Sequence, residues 1–289
     1  MASELGYQPN RTAISLKTRN SRTVAAIIPD MEDDFFALAV KGIQSRLEEH
    51  GYMMILCQSN ESAETEQHLI EEVLSFNVCG IVISLARESG AVPLLEDILE
   101  TTPVVQFDRY DPTTAIPYVS TDDSKGTYKA GRYLYDQGLR SFGYLGLSSD
   151  LKNDRERLEG YQQSLAEHNA SLSAVDYIDD WGDSFDNSVR LWAEQMDCIV
   201  CYNDIIAARV LISLSSHNIK VPDQVSVCGF DNRFFCDWLN PPLTSISRNT
   251  FQLGEQAAMR LLQDVDKSKE YAEIPPSDEP TLIIRKSTK

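Results

Sequence analysis

In this 289-residue chain, one apolar run after another is followed directly by residues able to form strong, directional polar contacts. Asp30, Asp34, Phe35 and Phe36 follow TVAAIIP (23–29), Asp108 and Arg109 follow PVVQF (103–107), and Asp122 and Asp123 follow YVST (118–121). Further along, Asn153 and Arg157 come after FGYLGL (142–147), Trp181 after DYIDD, Asn203 and Asp204 after DCIVCY (197–202), and Asp231 and Asn232 after VSVCGF (225–230). Carboxylates, amides and a guanidinium pair with adjacent hydroxyls, while an indole face covers apolar C–H surface, so the set suits a polyhydroxylated ligand. It suits catalysis poorly. No Ser-His-Asp or Cys-His set can be paired by spacing, no G-x-S-x-G elbow occurs, and neither a Walker A loop nor a G-x-G-x-x-G turn follows a strand. No enzyme activity and no cofactor are expected. His50, His68, His168 and His217 lack ligand spacing, so a metal is not expected either.

Each of these residues also has a plainer reading. Asp30, Asp123 and Asp204 precede helices and can serve as N-caps or first-turn charges. Phe36 shares a helical stripe with Val40 and can be core. Arg157, four residues before Tyr161 on one helical face, can bridge to a surface carboxylate. Trp181, in the polar run DDWGD, has no apolar neighbours and reads as a lid or a docking point. Cys198 and Cys201 form a C-x-x-C, but on a strand their side chains point to opposite faces, which argues against a redox or zinc pair.

The elements that must position these groups alternate. Short β-branched runs, apolar on both faces, are separated by helical periods such as Phe36, Val40, Ile43 and Leu47. That is the pattern of a parallel sheet covered on both sides, and about five strands in each half favour two doubly wound α/β lobes over one large sheet. In such sheets ligands settle beyond the carboxyl ends of the strands, where the residues above lie. The charge of −18 argues against the body gripping a phosphate backbone. Arg11, Lys17, Arg19 and Arg22 against Glu4 alone give the first 22 residues the opposite sign. No run reaches the roughly 18 apolar residues of a membrane span and the N-terminus has no apolar signal core, so no membrane partner and a cytoplasmic address are expected.

The opening ELGYQPNRTAISLKTRNSRTVAAIIPD resembles the join between DNA-binding head and sensor core in the lactose-repressor and galactose-repressor family. FFALAVKGI, VVQFDR, VSTDDSKGTYKAG, RLEGY, YNDIIAARVL, VPDQVSVCGFDN, PPLTSI and LIIRKST continue the likeness in order. The resemblance implies two lobes of the type I periplasmic-binding-protein kind, with a ligand cleft between them and three crossovers. It implies lobes at 21–139 plus 248–266 and at 140–247 plus 267–289, after a disordered hinge remnant at 1–20. It places Asp108, Asn153, Arg157, Trp181, Asn203 and Asp231 among ligand contacts and Phe36 at the cleft border. Arg157 would donate a fork of hydrogen bonds, Asp231 would accept a pair, and Trp181 would stack on the ligand. Pro9, Asn10, Ala13 and Leu16 fall in the hinge, with Leu16 at the position that wedges into an operator's minor groove. About fifty residues of helix-turn-helix would precede this point, and Met1-Ala2-Ser3 reads as a cloning remnant on a truncated chain. The function implied is ligand sensing and homodimerisation in a DNA-binding repressor. A neutral sugar is favoured as effector, and operator DNA would be bound only through head and hinge. A sugar-binding transport protein is the alternative, and a sugar-acting enzyme using Asp108 and Asp231 a third.

Overall fold

The computed structural model describes residues 21–178, 181–269, 271 and 278–289, the side chain of Asp183 excepted. The expectations for residues 1–20, including Pro9, Asn10, Ala13 and Leu16, lie outside the described residues. Eleven strands are described: β1 Thr23–Ile28, β2 Met53–Gln58, β3 Gly80–Ile83, β4 Val104–Phe107, β5 Tyr118–Val119, β6 Phe142–Gly146, β7 Leu172–Tyr177, β8 Cys198–Cys201, β9 Ser226–Phe230, β10 Thr244–Ser247 and β11 Thr281–Ile283. The helices are α1 Asp34–Glu49, α2 Ala63–Ser75, α3 Val92–Ile98, α4 Asp123–Asp136, α5 Lys152–Ala166, α6 Asp183–Gln195, α7 Asp204–Ser216 and α8 Thr250–Val265, with a 3-10 turn at Phe234–Asp237. The chain divides into two units, residues 1–120 with 251–276 and residues 121–250 with 277–289.

In the first unit all five strands run parallel, in the order β2-β1-β3-β4-β5. β1 is buried at every position because it is a central strand covered on both faces, which is why its sequence is continuously apolar. One face packs α1 and α8 through Phe35, Phe36, Ile43 and Leu47 with Leu253, Ala257 and Leu261. The other packs α2 and α3 through Ile70, Val73 and Leu95. The two helices on the first face touch backbone to backbone: a Cβ on Gly42 would stand 2.1 Å from the Phe251 carbonyl oxygen, and one on Gly254 would stand 1.9 Å from that of Ala39. Asp33, not Asp30, caps α1, its Oδ1 accepting from the Phe35 amide at 2.9 Å. Asp30 instead closes its own loop by accepting from the Glu32 amide.

The second unit holds six strands in the order β11-β10-β9-β8-β6-β7, parallel except that β11 runs antiparallel to β10. The sequence reading found five strands here and left out β10. Its sequence, TSIS, carries three hydroxyl residues, and their burial is compensated by hydrogen bonds such as that between the hydroxyls of Thr244 and Thr288, so no apolar run marks it. Cys198 packs with Tyr144, Tyr161 and Phe230 on one face of β8, while Cys201 packs with Ile206 and Val210 on the other. Burial pushes the Cys198 thiol up to about 12, so it is inert at neutral pH.

The boundary between the units differs from the expected 139/140. Helix α4 belongs to the second unit because it lies directly on α5: a Cβ on Gly160 would meet the Ser124 carbonyl oxygen at 2.0 Å, and one on Gly131 the Ser164 hydroxyl at 1.9 Å. The second crossing of the chain comes at 250/251, not at 247/248.

Candidate functional site

Four of the expected ligand residues in the second unit stand where strands of its sheet give way to helices or loops. Helix α5 follows β6 and carries Asn153 and Arg157 one turn apart, so both face inward with Gly160 and Tyr161. The start of α5 is fixed by Asp154, which accepts from the Tyr144 hydroxyl at 2.6 Å and from the amides of Leu147 and Ser148 at 2.7 and 2.9 Å. Burial pushes its carboxyl up despite these bonds.

Arg157 is 1% exposed, and the carboxylate it meets is not at the surface. Its Nε and Nη2 both reach Asp123 Oδ2, at 2.8 and 2.7 Å, and its Nη1 donates to the Tyr202 carbonyl at 2.6 Å. The guanidinium lies 3.8 Å from the centroid of the Phe230 ring and 4.3 Å from that of Tyr202, a stacking geometry that favours Arg over Lys. The plain reading of Asp123 holds only in part. It sits in the first turn of α4, but Asp122 is the cap, and Asp123 is buried as the partner of Arg157.

Asp231 follows β9 with φ of 99°, a conformation that turns the chain sharply after the strand. Arg248 Nε donates to its Oδ1 at 2.9 Å, while Arg157 Nη2 and Arg233 Nη2 stand 3.9 and 3.5 Å from its two oxygens. Burial alone would lift this carboxyl, yet the guanidiniums of Arg248, Arg157 and Arg233 outweigh it and hold the group below the usual carboxylate range. Arg248 also lies 3.6 Å from Asp123, closing a ring of alternating charges: Asp123, Arg157, Asp231, Arg248. Sequence reasoning missed Arg248 and undervalued Asp123. Both follow strands, and position after β5 and β10 was the signal available, but β10 itself went unrecognised.

Asn153 behaves differently. It is 5% exposed, and neither its amide oxygen nor its amide nitrogen has a hydrogen-bond partner. A buried primary amide without partners costs free energy unless something else satisfies it. Asn203 is committed elsewhere, since its side-chain oxygen caps α7 by accepting from the Ile206 amide at 3.0 Å. Trp181 is 39% exposed, tilted against Phe185 with ring centroids 5.3 Å apart, and the Arg209 guanidinium lies 5.2 Å from its ring centroid.

Phe36 and Asp108 belong to the first unit. Phe36 is core, packed edge to face on Phe35 with ring centroids 5.2 Å apart, and the Arg109 guanidinium lies 5.4 Å from its ring. Arg109 is in turn held by Glu61 at 2.7 Å. Asp108 leaves β4 with φ of 58° and is buried. Ser59 and Ser84, just beyond β2 and β3, present buried hydroxyls without partners, and Gln106 in β4 does the same with its amide nitrogen. The sequence reading named none of these three. Among the described residues no group of three or more His, Cys, Asp or Glu side chains could hold a metal ion, and no helix is long and apolar enough to cross a membrane.

Two α/β units with buried hydrogen-bonding groups at the strand ends define a binding protein of the type I periplasmic kind. A family model described as "periplasmic binding protein-like domain" matches residues 132–288, more than half of the chain, and the chain belongs to that family. The HTH-type transcriptional repressor CytR of Escherichia coli (strain K12) is 26% identical over 270 residues, covering 91% of this chain and 79% of that protein. The crystal structure of a periplasmic binding protein/LacI transcriptional regulator from Alkaliphilus metalliredigens QYMF, complexed with D-xylulofuranose, is 25% identical with a TM-score of 0.80, covering 93% of this chain and 99% of that one. A ribose operon repressor from Lactobacillus acidophilus has the same fold, with 24% identity and a TM-score of 0.81 over 93% of this chain and 99% of its own. CytR, and PurR of Vibrio campbellii, the latter also 26% identical, are HTH-type transcriptional repressors, which supports a ligand-sensing regulatory domain over a transport binding protein.

Proposed function

We propose that this domain binds a neutral, sugar-like effector and passes the occupancy on to operator DNA through a hinge at residues 1–20 and a helix-turn-helix head, as a cytoplasmic homodimer without enzymatic activity. The observation that carries the sugar reading is the unpartnered Asn153 amide one helical turn from Arg157. An amide offers a donor and an acceptor side by side, the Arg–Asp ring offers more of each, and adjacent hydroxyls can use both. Within the second unit, Asp231 supplies a further polar contact and Trp181, 39% exposed, an apolar face. D-xylulofuranose bound to the Alkaliphilus regulator and cellobiose bound to the regulator CelR support a carbohydrate. Binding acts by differential affinity for two states of the regulator.

A thermal-shift screen of mono- and disaccharides and their phosphates tests the reading. A neutral sugar at 100 times its dissociation constant should add about 2.7 kcal/mol of stability. A response only to the phosphates would reject the neutral class. Turnover of the hit would restore the enzyme reading, and stoichiometric binding without turnover would discard it. The homodimer reading finds support in Phe234 and Trp238 of the second unit, 62% and 75% exposed and packed edge to face with centroids 5.1 Å apart, since large exposed aromatics mark interaction surfaces. Leu38 on α1 is a smaller exposed apolar group on the first unit. Light scattering after gel filtration at tens of micromolar should give a dimer that Trp238→Ser weakens. A wild-type monomer would end the dimer reading.

A further inference from the structure

We infer that Asp204 is a positioning residue that ties the Asp231 end of the 231–238 loop to its exposed aromatic end, so that the two respond together. Calling the Asp231 end an effector site rests on the function proposed above; the mechanical link does not.

The loop opens with two consecutive non-glycine residues in the left-handed region, Asp231 at φ 99° and Asn232 at φ 50°. Such backbone persists only where surrounding bonds impose it. Here they converge on one carboxylate. Asp204 Oδ2 accepts from the Arg233 amide at 2.7 Å and from the Cys236 thiol at 3.2 Å, and Oδ1 accepts from the Ser245 hydroxyl at 2.6 Å. That same hydroxyl accepts from the Asn232 amide at 2.9 Å. Asp204 thus grips the loop at 232 through Ser245, and at 233 and 236 directly. The next residues outward are those that place Phe234 and Trp238 at the surface. Gly229 makes room for the grip, since a Cβ there would stand 2.1 Å from Asp204 Oδ1.

The charge on Asp204 is adjustable. Burial first, and then the negative charge of Asp231, push its carboxyl up to about 7. The groups facing it are Asp231 and Arg233 on the loop, Cys236 in the 3-10 turn, Ser245 on β10, and the thiols of Cys201 on β8 and Cys228 on β9, which burial keeps protonated. Asp231, kept ionised by its arginines, is therefore the fixed negative charge that Asp204 feels. Whatever alters one alters the other by the same amount, because linkage between two sites is reciprocal.

Proton–nitrogen correlation spectra of the full chain, followed from pH 5.5 to 8.5, test this without any ligand. In the wild type the Asn232 amide and the Trp238 indole should shift with one shared midpoint near pH 7. In Asp204→Asn both shifts should vanish. In Cys236→Ala the Trp238 shift should be lost while that of Asn232 remains. Unequal wild-type midpoints, persistence of either shift in Asp204→Asn, or a Trp238 shift surviving in Cys236→Ala would each overturn the proposal. Should Asp204→Asn fail to fold, the wild type and Cys236→Ala still decide it. Failure of every sugar to bind would count against the proposed function and leave this result standing.

Discussion

Arg157 and Asn153 lie one turn apart on α5, and their surroundings make opposite predictions for the same kind of mutation. Arg157→Ala strands Asp123 in the interior, and breaking a buried pair typically costs about 3 to 5 kcal/mol, so its denaturant midpoint should fall sharply. Replacing both partners, in Arg157→Met with Asp123→Leu, should recover much of that loss. Asn153→Ala deletes an amide that bonds to nothing in the folded chain, so stability should change by less than about 1 kcal/mol or rise, while effector binding is lost. Urea unfolding of the three variants checks the stabilities. The sequence disclosed that these residues follow strands, and the family resemblance raised Arg157 and Asp231 above the rest. It did not disclose burial. Nothing in RERLEGY distinguishes an arginine that snorkels to a surface carboxylate from one sealed against Phe230, because the partner, Asp123, is 34 positions away and reads locally as a helix-start acid.

At the scale of elements, short runs apolar on both faces marked about five strands in each half, and the helical period of Phe36, Val40, Ile43 and Leu47 marked α1. They failed where polarity and burial part company. β10 is a buried strand made largely of Ser and Thr, and β11 reverses direction at the sheet edge, where neither composition nor period encodes orientation. The unit boundary was misplaced for a related reason. Membership of α4 is decided by glycines that let α4 and α5 touch, and a glycine in a helical period looks merely permissive in sequence. Gly160→Ala, whose Cβ would meet the Ser124 carbonyl oxygen at 2.0 Å, should therefore destabilise the second unit by at least 1 to 3 kcal/mol, roughly the cost of overpacking, whereas alanine is ordinarily the better helix former. A Gly160→Ala melting temperature equal to the wild type would show that α4 does not pack on α5 this closely.

For the molecule as a whole, two buried acids pull stability in opposite directions with pH. Asp231 is depressed below its unfolded value, so its contribution is fully present above the unfolded pKa and is lost only as pH falls through the folded one, well into acid. Asp204 is raised to about 7, so the folded state keeps its proton longer than the unfolded chain does. Its contribution therefore falls as pH rises from about 4 to about 7 and is level above that. Urea midpoints should decline between pH 5.5 and 7.5, and the decline should be shallower in Asp204→Asn. An equal slope in both would remove Asp204 from the account. The net charge of −18 argues against the body gripping a phosphate backbone. What the core must do is hold an effector. Isothermal titration of the sugar returned by the thermal screen, into wild type and Asn153→Ala side by side, measures that most directly. The expected result is saturable one-to-one binding to the wild type and none to Asn153→Ala at unchanged stability. Undiminished affinity in Asn153→Ala, or no binding of any sugar to the wild type, would contradict it.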